Sequence, residues 1–105
     1  MKFPDDADGD VLRRLEESGF DFSTAWEIDF MVDFDSWPPS QDALDILEKE
    51  YGPIEVYAPD DDGDGYILFN INSPVSYDLI MDTQKKASAL VVSFGGVCES
   101  WGVLQ

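Results

Sequence analysis

The chain has 105 residues, enough for one domain with a single core, and it is 44% hydrophobic and 13% aromatic, which excludes a disordered acidic tail. Six basic residues stand against 23 acidic ones, a net charge of −17, so free nucleic acid and anionic membranes are repelled and basic partners are attracted. Histidine is absent and Cys98 is the only cysteine, which removes the commonest general base, intrachain disulfides and multi-cysteine metal sites.

Asp5 to Asp10 is rich in aspartate, and Val11, Leu12 and Leu15 follow as a narrow apolar stripe. This predicts a short helix from Ala7 or Asp8 to Ser18, with aspartates suited to its positive end and Gly19 as its stop. From Trp26 to Asp35 the apolar residues Trp26, Ile28, Phe30, Val32 and Phe34 occupy every second position. Glu27, Asp29, Met31, Asp33 and Asp35 lie between them, so the segment reads as a strand with one dry face and one acidic face.

Trp37-Pro38-Pro39 breaks the chain, and Ser40 caps a predicted helix running to Tyr51, which Gly52-Pro53 ends. Ile54–Ala58 and Tyr66–Asn72 read as two strands joined by an aspartate- and glycine-rich turn, hence a hairpin. Ser73-Pro74 offers a cap and a first-turn proline for the longest helix, expected to end near Phe94. Gly95-Gly96 stops it, and Val97–Leu104 is a last strand. After the first helix the order is β-α-β-β-α-β, which predicts an α+β, ferredoxin-like antiparallel sheet in the order 4-1-3-2 with an additional N-terminal helix. The pattern gives that helix no packing partner.

Few constellations carry chemistry. Asp60-Asp61-Asp62-Gly63-Asp64-Gly65 imitates the start of a calcium loop, but Ile71 stands where the bidentate glutamate belongs, so a hairpin turn is the plainer reading. No serine or cysteine has a histidine to activate it, and no phosphate-binding glycine loop is present. Neither enzyme activity nor a cofactor is expected. Cys98 reads as a small core residue. No signal-peptide core follows Met1-Lys2-Phe3-Pro4 and no apolar run approaches membrane-spanning length, so a cytoplasmic location is expected.

One surface remains. If the apolar sides of the strands meet the helices, the other side of the sheet carries Glu27, Asp29, Met31 and Asp33, joined by Glu55, Tyr57, Tyr66 and Leu68. Glu99 and Trp101 join them if the last strand turns Cys98, Ser100, Gly102 and Leu104 inward, a register that Val97 and Val103 oppose. An acidic face with aromatics suits a basic polypeptide, with Glu27, Asp29, Asp33, Tyr66 and Trp101 as the candidate contacts. A different class of reading is an immunity-type or nucleic-acid-mimicking protein that blocks another basic protein. Alternatively, the first helix or a second copy of the chain covers this face.

The opening run Pro4-Asp5-Asp6-Ala7-Asp8-Gly9-Asp10-Val11-Leu12-Arg13-Arg14-Leu15 with Gly19-Phe20-Asp21, and the closing Phe94-Gly95-Gly96 and Trp101-Gly102, resemble the RraB family, the regulators of ribonuclease E activity. The resemblance implies an α+β fold, no catalysis, and a cytoplasmic inhibitor that binds the C-terminal scaffold region of ribonuclease E.

Overall fold

The structure, a computed structural model, describes residues 5–61 and 63–103. Three helices and a four-stranded antiparallel sheet follow one another as α1 (Ala7–Glu17), β1 (Ala25–Phe34), α2 (Gln41–Tyr51), β2 (Glu55–Tyr57), β3 (Tyr66–Pro74), α3 (Tyr77–Val91) and β4 (Gly96–Val103). The sheet order is β2-β3-β1-β4. Leu104, expected to end the last strand, and Asp62 of the turn lie outside the described residues.

The helices begin where side chains cap them. Asp6 accepts from the Gly9 amide at 2.7 Å, Ser40 from Ala43 at 3.2 Å and Ser76 from Leu79 at 3.1 Å. The third cap differs from the expected Ser73. The alternation of β3 continues through Ser73 and Pro74, which pair with Trp26 and Ala25, and Val75 is buried before the helix starts. At its other end α3 tightens after Val91 into a 3₁₀ turn, Val92–Phe94, and Gly95 turns the chain with φ 78°.

Every helix packs on one side of the sheet. Ile28, Phe30, Val32, Ile67 and Phe69 point that way and are fully buried with Leu47, Ile80 and Val91. Phe30 and Phe69 stack at 5.4 Å, and Tyr51 of α2 stacks on Phe69 at 3.9 Å. The N-terminal helix joins this side, beside α3. Leu12 and Leu15 enter the core, while Val11 remains exposed. Tyr77 of α3 donates to Asp6 Oδ2 at 2.7 Å, and the Trp101 indole donates to Asp8 Oδ1 at 2.9 Å. The first helix therefore does not cover the acidic side of the sheet.

Trp101 is the main correction. Along β1 the register steps from Met31↔Ser100 to Val32↔Cys98, leaving Glu99 as a bulge in β4. Uninterrupted alternation would put Cys98 and Trp101 on opposite faces. The extra residue resets it, so Cys98 opposite Val32, Trp101 opposite Phe30 and Val103 opposite Ile28 all face the helices. Cys98 and Val103 both face inward, whereas Val97 and Ser100 face the open side, so each hint holds in part and Trp101 leaves the open face.

Candidate functional site

The open face is built in rungs across the strands. In the first rung Tyr57, Tyr66, Asp33 and Val97 lie side by side through the pairs Tyr57↔Tyr66, Asp33↔Tyr66 and Asp33↔Val97. In the second, Glu55, Leu68, Met31 and Ser100 do the same, and in the third Asn70, Asp29 and Gly102. Glu27 opposite Asn72 extends the row along β1. Alternate residues of a strand share a face, so Glu27, Asp29 and Asp33 are held in one line by a paired central strand.

Four of the five candidate residues are thus brought together: Glu27, Asp29, Asp33 and Tyr66. Trp101 is not among them, being engaged with Asp8 on the helix side. Tyr57 and Tyr66 stack at 4.8 Å with an interplanar angle of 17°. The Tyr57 hydroxyl donates to Glu55, and that hydrogen bond, followed by the charge of Glu55, raises its proton affinity. Asn70 donates to Asp29 Oδ1 at 2.8 Å, which orients the carboxylate without neutralising it.

Asp33 is electrostatically the most stressed member. Partial burial first, then the charges of Glu99 and Asp64, raise its carboxyl above the ordinary aspartate value. Neither Glu99 nor Asp64 is adjacent to Asp33 in sequence. Glu99 acts from the β4 bulge and Asp64 from the β2–β3 turn. Period-two reading beyond Leu68 would have found Asn70, but nothing local signals the bulge.

No Lys or Arg lies on any of the described strands. Arg13 and Arg14 are on α1, Lys49 on α2, and Lys85 and Lys86 on α3. The described cations therefore belong to the helices, where Lys86 pairs with Glu50 across α3 and α2 and Arg13 with Asp5 and Asp10. The strands carry carboxylates without cations, whereas the helices carry both signs and are net acidic as well.

The aspartate-rich turn closes on itself. Asp60 and Gly63 exchange backbone hydrogen bonds, and Asp60 Oδ1 accepts from the Gly63 amide at 3.0 Å. Gly65 lies against Trp37 and Pro59, where a Cβ would approach within 2.8 and 2.7 Å. Among the described residues no three metal-ligating side chains are grouped to hold an ion. Cys98 is buried, and burial, followed by the charges of Asp33 and Glu99, pushes its thiol up to about 12. No helix among the described residues is long and apolar enough to cross a membrane.

No curated protein is significantly similar to the chain over its sequence. The profile of a family described as Regulator of ribonuclease activity B does match, over residues 5–103, which takes in every element of the fold from α1 to β4. On that match the chain belongs to the RraB family.

Proposed function

We propose that this chain is a non-catalytic protein regulator of a ribonuclease, and that the open sheet face holds a basic, arginine-rich segment of that enzyme. The specific target we favour is the scaffold region of ribonuclease E, reached in the cytoplasm. The observation that carries the reading is the bare face itself. All three helices lie on the other side, and the strands carry acids and aromatics but no cation. Arginine pairs with carboxylates through bidentate bonds and stacks on aromatic rings, and Asp33 beside the Tyr66–Tyr57 stack offers both.

Single exposed ion pairs are worth only about 0–1 kcal/mol, so binding uses Glu27, Asp29, Asp33 and Glu55 together. The absence of histidine and the neutral, buried Cys98 favour a regulator over an enzyme. The β-α-β-β-α-β connection with the order β4-β1-β3-β2 favours a ferredoxin-like description of the fold.

Degradation of an RNA substrate by purified ribonuclease E, with and without the protein, tests the target. Slower cleavage together with binding to the scaffold region is expected. Unchanged cleavage and no binding to that region remove ribonuclease E as the target.

A further inference from the structure

The open face is not uniformly acidic along its central strand. Asp33 in the first rung and Asp29 in the third are separated by Met31, which lies opposite Leu68. Met31 and Leu68 are both half-buried, and neither belongs to the hydrophobic core on the helix side. Glu55 shares their rung, but its Oε2 accepts from the Tyr57 hydroxyl at 2.5 Å, so that carboxylate is engaged with the first rung. Ser100 closes the rung on β4 with a small side chain. Along β1 the face therefore runs from a carboxylate to an apolar strip and back to a carboxylate, with Glu27 beyond Asp29.

Both ends of this strip suit a cation that is flat and charged. Asp33 stands beside the stacked rings of Tyr66 and Tyr57, and a cavity of about 400 Å³ opens against Tyr57, Tyr66 and Asp64. A guanidinium pairs with such a carboxylate and stacks on such a ring. At the other end Asn70 donates to Asp29 Oδ1 and fixes the carboxylate. Gly102, opposite Asp29 on β4, leaves the approach clear, since even a Cβ there would meet nothing within 4 Å.

The spacing of the rungs selects the shape of the partner. Alternate residues of β1 set them about 6.8 Å apart, and side chains on one side of any extended chain repeat at that same interval. Helix positions that share a face recur at about 4.5 or 6 Å and fall out of step. Like charges along a basic segment repel one another and keep it extended. We propose that the basic segment on the open face lies extended along β1 and carries the pattern arginine–x–apolar–x–arginine, with the apolar residue on Met31 and Leu68 and the arginines at Asp33 and Asp29. The pattern is the same in either chain direction. This rests on the open-face reading and deepens it: the carboxylates supply attraction, and the apolar strip between them sets the register.

Calorimetry with two synthetic nonapeptides tests the inference. One is Arg-Ser-Arg-Ser-Leu-Ser-Arg-Ser-Arg, and in the other the leucine and the serine before it exchange places. Composition, charge and arginine positions are identical, and only the side of the chain that bears the leucine changes. The first peptide is expected to bind the natural protein about three- to tenfold more tightly, with the same salt dependence for both. Met31→Gln keeps the side-chain length and makes the strip polar. It is expected to bring the two affinities together by weakening the first peptide and sparing the second, with an unchanged circular dichroism spectrum. Equal affinity of the two peptides for the natural protein overturns the register while leaving the open face in place. A leucine advantage that survives Met31→Gln overturns its placement on Met31 and Leu68. Failure of both peptides to bind overturns the register and the open face together.

Discussion

Asp8 and Trp101 lie at opposite ends of the chain, and the Trp101 indole donates a hydrogen bond to Asp8 Oδ1 at 2.9 Å. The contact joins the opening and closing stretches on which the family likeness rests. Asp6 caps α1 and receives Tyr77, Asp8 receives Trp101, and Gly9 is buried in the helix between them. The N-terminal helix is thereby tied to α3 and to β4, and the opposite side of the sheet stays open.

A double-mutant cycle on this pair measures the tie. Trp101→Phe keeps most of the ring and removes the donor, and Asp8→Ala removes the acceptor. Partly buried bonds to charged groups contribute about 1.5–3 kcal/mol, so a coupling of about 1–2 kcal/mol in urea unfolding is expected. Strictly additive single changes would mean that this bond contributes nothing and that Leu12, Leu15 and the Tyr77–Asp6 bond hold the helix.

The glycines of the closing stretch separate in the same way. A Cβ at Gly96 would lie 2.6 Å from Val91 Cγ2 and 2.8 Å from Phe34, whereas at Gly102 nothing lies within 4 Å. Gly96→Ala is expected to destabilise by about 1–3 kcal/mol, the usual range for overpacking. Gly102→Ala, on the open face opposite Asp29, is expected to stay within about 0.5 kcal/mol. Denaturant midpoints of the two variants check both.

Much of this fold was legible because its signals are local. The alternation from Trp26 to Phe34 reports the dry face of β1 directly, and Ser40, Gly19 and Gly52 mark element ends through their own backbone chemistry. What stayed hidden depends on pairing between distant residues. The β4 bulge at Glu99 exists only in register with β1, so Trp101 could not be assigned to a face from β4 alone. The place of α1 depends on Tyr77 and Trp101 reaching back to Asp6 and Asp8. The Ser73-Pro74 pair mimicked a helix start, and pairing of β3 with β1 prevailed over that local signal. On the open face, the β1 acids followed from periodicity alone, whereas the pressure of Glu99 and Asp64 on Asp33 arises from the folded arrangement.

Two aspartates should shift stability in opposite directions with pH. Hydrogen bonds from the Ser23 and Thr24 hydroxyls, then from the Ser23 amide, lower the Asp21 carboxyl from 3.8 to about 2. The stability Asp21 contributes is present above its unfolded value and is lost as pH falls towards about 2. Asp33 is raised, so the folded state binds its proton more readily, and stability falls as pH rises through its folded value. Asp33→Asn is therefore expected to stabilise the protein at neutral pH, with the advantage fading in acid. Asp21→Asn is expected to cost stability at neutral pH, with that cost fading in acid. Urea unfolding across the acid range distinguishes the two.

Cys98 should be chemically silent in the native protein. It is 2% exposed, and its thiol is pushed up to about 12, so almost no thiolate is available at mildly alkaline pH. A thiol-specific reagent is expected to react at the rate of unfolding and rapidly in denaturant. Fast reaction of the native protein would show that the packing of α3 on β4 over Cys98 opens transiently.

The central claim is that the open sheet face holds a basic segment through its row of carboxylates. Binding of the ribonuclease E scaffold region, measured against increasing salt for the natural protein and for Asp29→Asn/Asp33→Asn, tests it most directly. The substitutions keep shape, remove two charges and leave the buried face untouched. The expected result is weaker binding by the double variant, a flatter salt dependence and an unchanged fold by circular dichroism. Equal affinity and an equal salt slope for the two proteins would contradict the account and move the search to the acids of α1 and the β2–β3 turn.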